Sequence, residues 1–81
     1  MIKELESAQN KVIGSKQILK HLNAKSLKKV FIAADIDMAL KDKLVFEANK
    51  AGIEVVMVAS AQELGKICGI QVSCAAAGIL I

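Results

Sequence analysis

Proline, tryptophan and tyrosine are absent from the 81 residues, and the only aromatic side chains are Phe31 and Phe46. Without proline, helices must be ended by glycine or by capping side chains rather than by a ring that lacks an N–H. Both phenylalanines sit in apolar surroundings and are expected in the core, which leaves no exposed rings on which single-stranded bases could stack. One histidine, His21, and two cysteines, Cys68 and Cys74, fall short of the four ligands of a structural zinc site. The cysteines do not form C-x-x-C, and they read as buried reduced thiols of a cytosolic protein. There is no G-x-S-x-G elbow, no P-loop and no G-x-G-x-x-G. His21, on the polar side of its helix, reads as a solvated residue. With no nucleophile–base pair in view, neither catalysis nor a cofactor is expected.

Long hydrophobic runs are missing too. The longest, CAAAGILI over residues 74–81, is far short of the ~20 residues that span a bilayer and reads as a terminal buried strand. Residues 1–11 carry no apolar signal core. The expectation is a cytoplasmic protein that makes no use of a membrane.

What is present is a rich core in a short chain. Hydrophobic residues make up 54% and charged residues 23%, which suits one ordered domain over residues 1–81, taken as a monomer. The net charge of +3 is a mild pull on anions that a merely solvated lysine surface would also show, so position matters more than the total.

Periodicity predicts a short helix over 2–9 and a strand at 12–13 that ends at Gly14. Ser15 is expected to cap a helix running to residue 23, in which Ile18, Leu19 and Leu22 share one arc and Lys16, Gln17, Lys20 and His21 the other. The apolar run KVFIAA at 29–34 predicts a strand covered on both faces. Asp37 is placed to cap a helix over 38–51, with Leu40, Leu44, Ala48 and Ala51 on one face and Gly52 as its left-handed stop. VVMVA at 55–59 reads as a second buried strand. Ser60 and Glu63 form a capping box for a helix that buries Ala61, Leu64, Gly65 and Cys68 and ends at Gly69. Helices alternating with strands predict an α/β fold, a three-layer α/β/α sandwich around a mixed four-stranded sheet.

Two places could carry chemistry. Asp35 and Asp37 have the spacing of a metal or acid–base pair, but helix capping just after a strand accounts for them better. The turn Gly14-Ser15-Lys16-Gln17 is an anion site in outline. Gly14 permits close backbone approach, a helix start presents unpaired N–H groups and partial positive charge, and Lys16, Gln17 and Lys20 project near it. Lysine can donate to guanine O6 and N7, and glutamine can pair with an adenine edge. The same residues also suit an ordinary capped surface helix.

Three motifs in register add to this reading: Gly14-Ser15-Lys16-Gln17-Ile18-Leu19-Lys20, Ala33-Ala34-Asp35-Ile36-Asp37, and Leu64-Gly65-Lys66-Ile67-Cys68-Gly69-Ile70 continuing through Gln71-Val72-Ser73-Cys74-Ala75-Ala76-Ala77. Their order and separations resemble those of the kink-turn-binding ribosomal proteins of the L-seven-Ae family, and of its short bacterial YbxF-type members in particular. The resemblance covers nearly the whole chain and implies an RNA-binding protein of the α/β/α sandwich fold. It implies that Gly14, Ser15, Lys16, Gln17 and Lys20 enter the groove opened at tandem sheared G·A pairs. It also implies that Asp37 bonds a flipped-out base and that Ile70, Gln71, Val72 and Ser73 pack on splayed nucleotides, with Lys66 a further phosphate partner. The RNA would be any that carries a kink-turn, such as ribosomal RNA or a riboswitch, with the ribosome itself a candidate partner.

The chain departs from the wider family in three places. Lys16 and Gln17 stand where archaeal and eukaryotic members have Asn and Glu, which predicts weaker base discrimination and stronger salt dependence. Ile13 replaces a common Arg or Lys. Ser73 replaces a loop proline, which leaves the loop less preorganised. The competing reading is a protein–protein adaptor, or a ribosome-associated subunit with little specific RNA binding, in which the apolar loop at 70–72 meets a protein partner.

Overall fold

In the computed structural model, which describes residues 10–81, strands and helices alternate: β1 (Lys11–Ile13), α1 (Ser15–Asn23), β2 (Leu27–Ala33), α2 (Met38–Lys50), β3 (Glu54–Val58), α3 (Ala61–Cys68) and β4 (Ala76–Leu80). The helix expected over 2–9 lies outside the described residues. The four strands form one sheet in the order β1-β4-β2-β3. β2 and β3 are parallel, while β4 runs antiparallel to both β1 and β2, so the sheet is mixed.

The apolar run of β2 explains the layers. Side chains alternate across a strand. Phe31 and Ala33 pack on one side with Val58, Leu64, Cys68, Cys74, Ala77 and Ile79, beneath α3. Val30 and Ile32 pack on the other with Val12, Ile18, Leu22, Leu44, Ala48 and Ala76, beneath α1 and α2. Phe31, Ile32 and Val30 are wholly buried, and each such side chain contributes about 1.5–3 kcal/mol of transfer free energy. Two helices on one face and one on the other complete the α/β/α sandwich expected from the alternation.

Four expectations need correction. Ser15 is the first residue of α1, not its cap. Gly14 takes the cap position, and no side chain among the described residues caps that end. Gly14 is the last residue held by the sheet, its N–H bonded to the Ala76 carbonyl at 2.9 Å, and its own carbonyl already accepts the first helical bond from the Ile18 N–H at 3.0 Å, so the helix begins one residue earlier than expected. Phe46 is 63% exposed rather than in the core. At 100° per residue it points away from the face that Leu44 and Ala48 bury. β3 is an edge strand, not a strand buried on both faces: only Val58 is fully buried, and Met57 is 47% exposed. His21 is half-buried, with Nδ1 2.8 Å from Ser26 Oγ, so it helps to fasten the turn after α1.

The other helix signals hold. Asp37 Oδ2 accepts from the Leu40 N–H at 3.2 Å, and Ser60 Oγ accepts from the Glu63 N–H at 3.1 Å. Gly52 and Gly69 turn left-handed after α2 and at the end of α3.

Candidate nucleic-acid interface

Register decides where the singled-out residues meet. Ile13 is opposite Ala77, Ile32 opposite Ala76, and Ala33 beside Val58. The last residues of β1, β2 and β3 and the first of β4 therefore lie at one end of the sheet. From that end spring the start of α1, the turn at 34–37, the start of α3 and the loop at 69–75. Gly14, Ser15, Lys16, Gln17, Asp37, Ile70, Gln71, Val72 and Ser73 belong to these segments, so residues up to 59 positions apart in sequence share one rim.

The start of α1 is built to stay open. Gly14 has φ 106 and ψ 141, a backbone region that side-chain-bearing residues avoid, and a Cβ placed there would meet nothing within 4 Å. Among the described residues, nothing fills the space beside the Gly14 backbone. No acid lies in the first turn, and among the described residues no side chain caps it, so none of these offsets the partial positive charge of the helix end. Lys16 and Gln17 are exposed beside it, and Lys20 is exposed one turn on. Ile18 and Leu22, wholly buried beneath the same helix, fix which way these polar side chains point.

Across the rim, a network holds the loops in place. Asp35 Oδ1 accepts from the Ala61 N–H at 2.8 Å. The Ala61 carbonyl accepts from the Cys74 N–H at 2.9 Å. Ala61, the first residue of α3, thus joins the 34–37 turn to the loop before β4 through its N–H and its carbonyl. Lys41 Nζ donates to the Ala34 carbonyl at 3.0 Å and draws the turn against α2. The loop also lies hard on α3, because a Cβ on Gly65 would run into the Val72 carbonyl and come within 3.3 Å of Ser73 Cα. Ile70 is half-buried against the α3-side core, whereas Val72 is 71% exposed and is the apolar side chain this loop offers outward.

Lys66 is set apart from the rest. It is exposed on α3, about 7.5 Å along the axis from the helix start and in the layer opposite α1. Asp37 spends one carboxylate oxygen on its cap bond, which leaves the other facing solvent at the rim. Asp35, expected to cap the helix just after its strand, instead accepts from the start of a helix 26 residues away, which no local pattern signals, and Lys41 was not legible as a residue that holds the turn. Among the described residues no group of three or more His, Cys, Asp or Glu is arranged to hold a metal ion.

A three-layer α/β/α sandwich whose loop end carries an uncapped, lysine-flanked helix start is a scaffold suited to holding an anionic polymer. The chain belongs to the ribosomal protein L7Ae/L30e/S12e/Gadd45 family, whose sequence profile it matches over residues 1–81. It is 37% identical over 78 residues to an "RNA-binding protein" of Bacillus pumilus (strain SAFR-032), covering 96% of this chain and 95% of that one. It is 41% identical over 69 residues to the "RNA-binding protein YbxF" of Geobacillus stearothermophilus, covering 85% of this chain and 84% of that one. Among solved structures it resembles the Giardia lamblia 15.5kD RNA binding protein, with a TM-score of 0.86 at 28% identity over 99% of this chain and 68% of the other.

Proposed function

We propose that this protein is a non-catalytic RNA binder that grips kink-turns, the sharply bent duplex segments built on tandem sheared G·A pairs. The observation that carries the reading is the open start of α1: Gly14 with free space above it, no acid and no side-chain cap, and Lys16 and Gln17 exposed alongside. The family and the relatives named as RNA-binding proteins support it.

An ordinary A-form duplex has a major groove too deep and narrow for side chains to read. A bent duplex with non-Watson–Crick pairs opens that groove, and a bare helix start can then enter it. The helix N–H groups and Lys16 draw in phosphate, Gln17 offers an amide to a base edge, and Lys20 adds charge one turn back. Val72 covers a base unstacked by the bend, and the outward oxygen of Asp37 accepts from another. Because the rim is held by the Asp35–Ala61–Cys74 network, the protein selects the bent RNA from its bent–extended equilibrium rather than moulding itself to it. Ribosomal RNA and riboswitches, in the cytoplasm, are the class of target.

The test is a titration of a short fluorescent kink-turn RNA against the same duplex with its G·A pairs changed to Watson–Crick pairs. Tight binding to the first alone is expected, weakening steeply as salt rises. Gln17→Ala should cost ~1–3 kcal/mol of kink-turn affinity, the scale for a base-reading side chain. Equal binding to both RNAs would overturn the reading. Failure to bind either would favour a protein adaptor that docks through the exposed Val72 loop.

A further inference from the structure

The three helices end in the same way but not on the same residue. After α1, the Lys25 N–H bonds the Leu22 carbonyl at 3.1 Å and the Ser26 N–H bonds the His21 carbonyl at 3.1 Å. After α2, the Gly52 N–H bonds Asn49 and the Ile53 N–H bonds Ala48, each at 3.0 Å. After α3, Gly69 bonds Lys66 at 3.1 Å and Ile70 bonds Gly65 at 3.0 Å. This double bond needs a left-handed residue, and glycine supplies it without steric cost. Gly52 and Gly69 do so, at φ 73 and φ 77; Lys25 does so at φ 56, the one non-glycine with positive φ among the described residues. A lysine here is the worse backbone choice, so its side chain is the feature to explain.

That side chain lines a cleft of about 240 Å³ between the ends of α1 and α2, formed by Leu22, Asn23, Lys25, Glu47, Lys50 and Ala51. Of the residues that line it, two are cationic, Lys25 and Lys50, and one is anionic, Glu47. Neither lysine forms an ion pair with a described residue. A cation near a helix end also offsets the helix dipole, but Lys50 does that from an ordinary helical position, which leaves the strained backbone of Lys25 unexplained.

Charge along the chain points to the occupant. Between Glu6 and Asp35 there is no acidic residue, while Lys11, Lys16, Lys20, Lys25, Lys28 and Lys29 all fall there. On α1, Lys16, Lys20 and Asn23 follow each other at helical spacings of four and three, on the outer side away from buried Ile18 and Leu22. The row leads from the open rim, about 6 Å per four residues, down to the cleft. A lysine row that starts at the base-reading rim and ends at a cleft with two lysines against one glutamate suits a strand of RNA phosphates leaving the kink.

We propose that Lys25 and Lys50 form a phosphate clamp for the stem of the bound RNA, extending its footprint along α1 to the far end of the sheet. The clamp rests on the RNA-binding reading above, but it adds grip without adding selectivity, because phosphate contacts carry no sequence information.

The test is to measure the salt dependence of affinity for Lys25→Gly and Lys50→Gln. The kink-turn RNA should carry a full helical turn of duplex on either side, and its Watson–Crick counterpart serves as the control. Lys25→Gly keeps the left-handed turn, as Gly52 and Gly69 do, so its melting temperature should equal or exceed that of the wild type. Each variant should flatten the slope of log affinity against log salt by about one unit, on both RNAs alike, with the preference for the kink-turn unchanged. Wild-type slopes in both variants would overturn the clamp and leave the kink-turn reading standing. If the wild type shows no preference yet the slopes still flatten, the clamp stands and the kink-turn reading falls. If the wild type binds neither RNA, both fall.

Discussion

α2 and α3 each begin on a side chain that bonds the first turn, Asp37 and Ser60, and α3 has a second acceptor in Asp35. α1 begins on Gly14, with no side-chain cap and no acid in its first turn. All three starts lie at the same end of the same sheet, so position does not explain the difference. A cap satisfies orphan N–H groups and adds about 1 kcal/mol of stability. Leaving them open gives up that stability and keeps donors and positive charge available for an anion. The capped starts hold the rim in place, and the open start is where it can act.

The largest effect expected from disturbing this division falls on the capped side. Cys68 closes α3 from within the core. Its burial, with neighbouring Cys74 adding to the effect through charge and a hydrogen bond, pushes its pKa from 9.0 up to about 11, against a smaller opposing pull from Lys11. A thiol with a raised folded-state pKa holds its proton more tightly when folded, so its contribution is present below the unfolded pKa. Stability should therefore fall as pH rises from about 9 to about 11, by at most about 2–3 kcal/mol. Urea melts across that range should show the loss, and Cys68→Ala should remove most of its pH dependence.

Closing the open start sterically comes next. Gly14→Val places a β-branched residue at φ 106, so about 1–3 kcal/mol of stability should be lost. Kink-turn affinity should fall more than tenfold even where the variant is fully folded. A folded variant with wild-type affinity would show that the backbone of Gly14 does not approach the RNA.

The smallest changes sharpen the contrast. Ser60→Ala should cost about 1 kcal/mol in a thermal or denaturant melt, with RNA affinity little changed. Ser15→Asp gives α1 the first-turn acid it lacks, and should do the reverse. Stability should rise by about 0.3–1 kcal/mol while RNA binding weakens. If stability and affinity moved in the same direction in both variants, the division between capped and open starts would not hold.

Most of the architecture was legible in local pattern. The apolar run of β2, the cap at Asp37, the capping box at Ser60 and the glycine stops each follow from residue chemistry over a few positions. The candidate rim was legible only as separate pieces. Gly14, Lys16 and Gln17 announce a bare helix start, but nothing local says that the loop at 70–73 stands beside it. Phe46 was misread by composition although the helical period places it outward. β3 was misread because VVMVA carries the same apolar density as β2 and nothing in it reveals that the strand lies at an edge.

Over residues 10–81 the sequence by itself determined which segments are strands and helices and, β3 and Phe46 apart, which face of each is dry, because those depend on the spacing of apolar side chains and on caps a few residues apart. It also determined that the chain carries an acid-free, lysine-bearing stretch before Asp35. Only the tertiary structure decided that β4 inserts between β1 and β2, that four loop ends meet at one rim, that Asp35 ties its turn to α3, and that Lys25 and Lys50 line one cleft. These depend on strand order and register, which arise from packing the whole core at once.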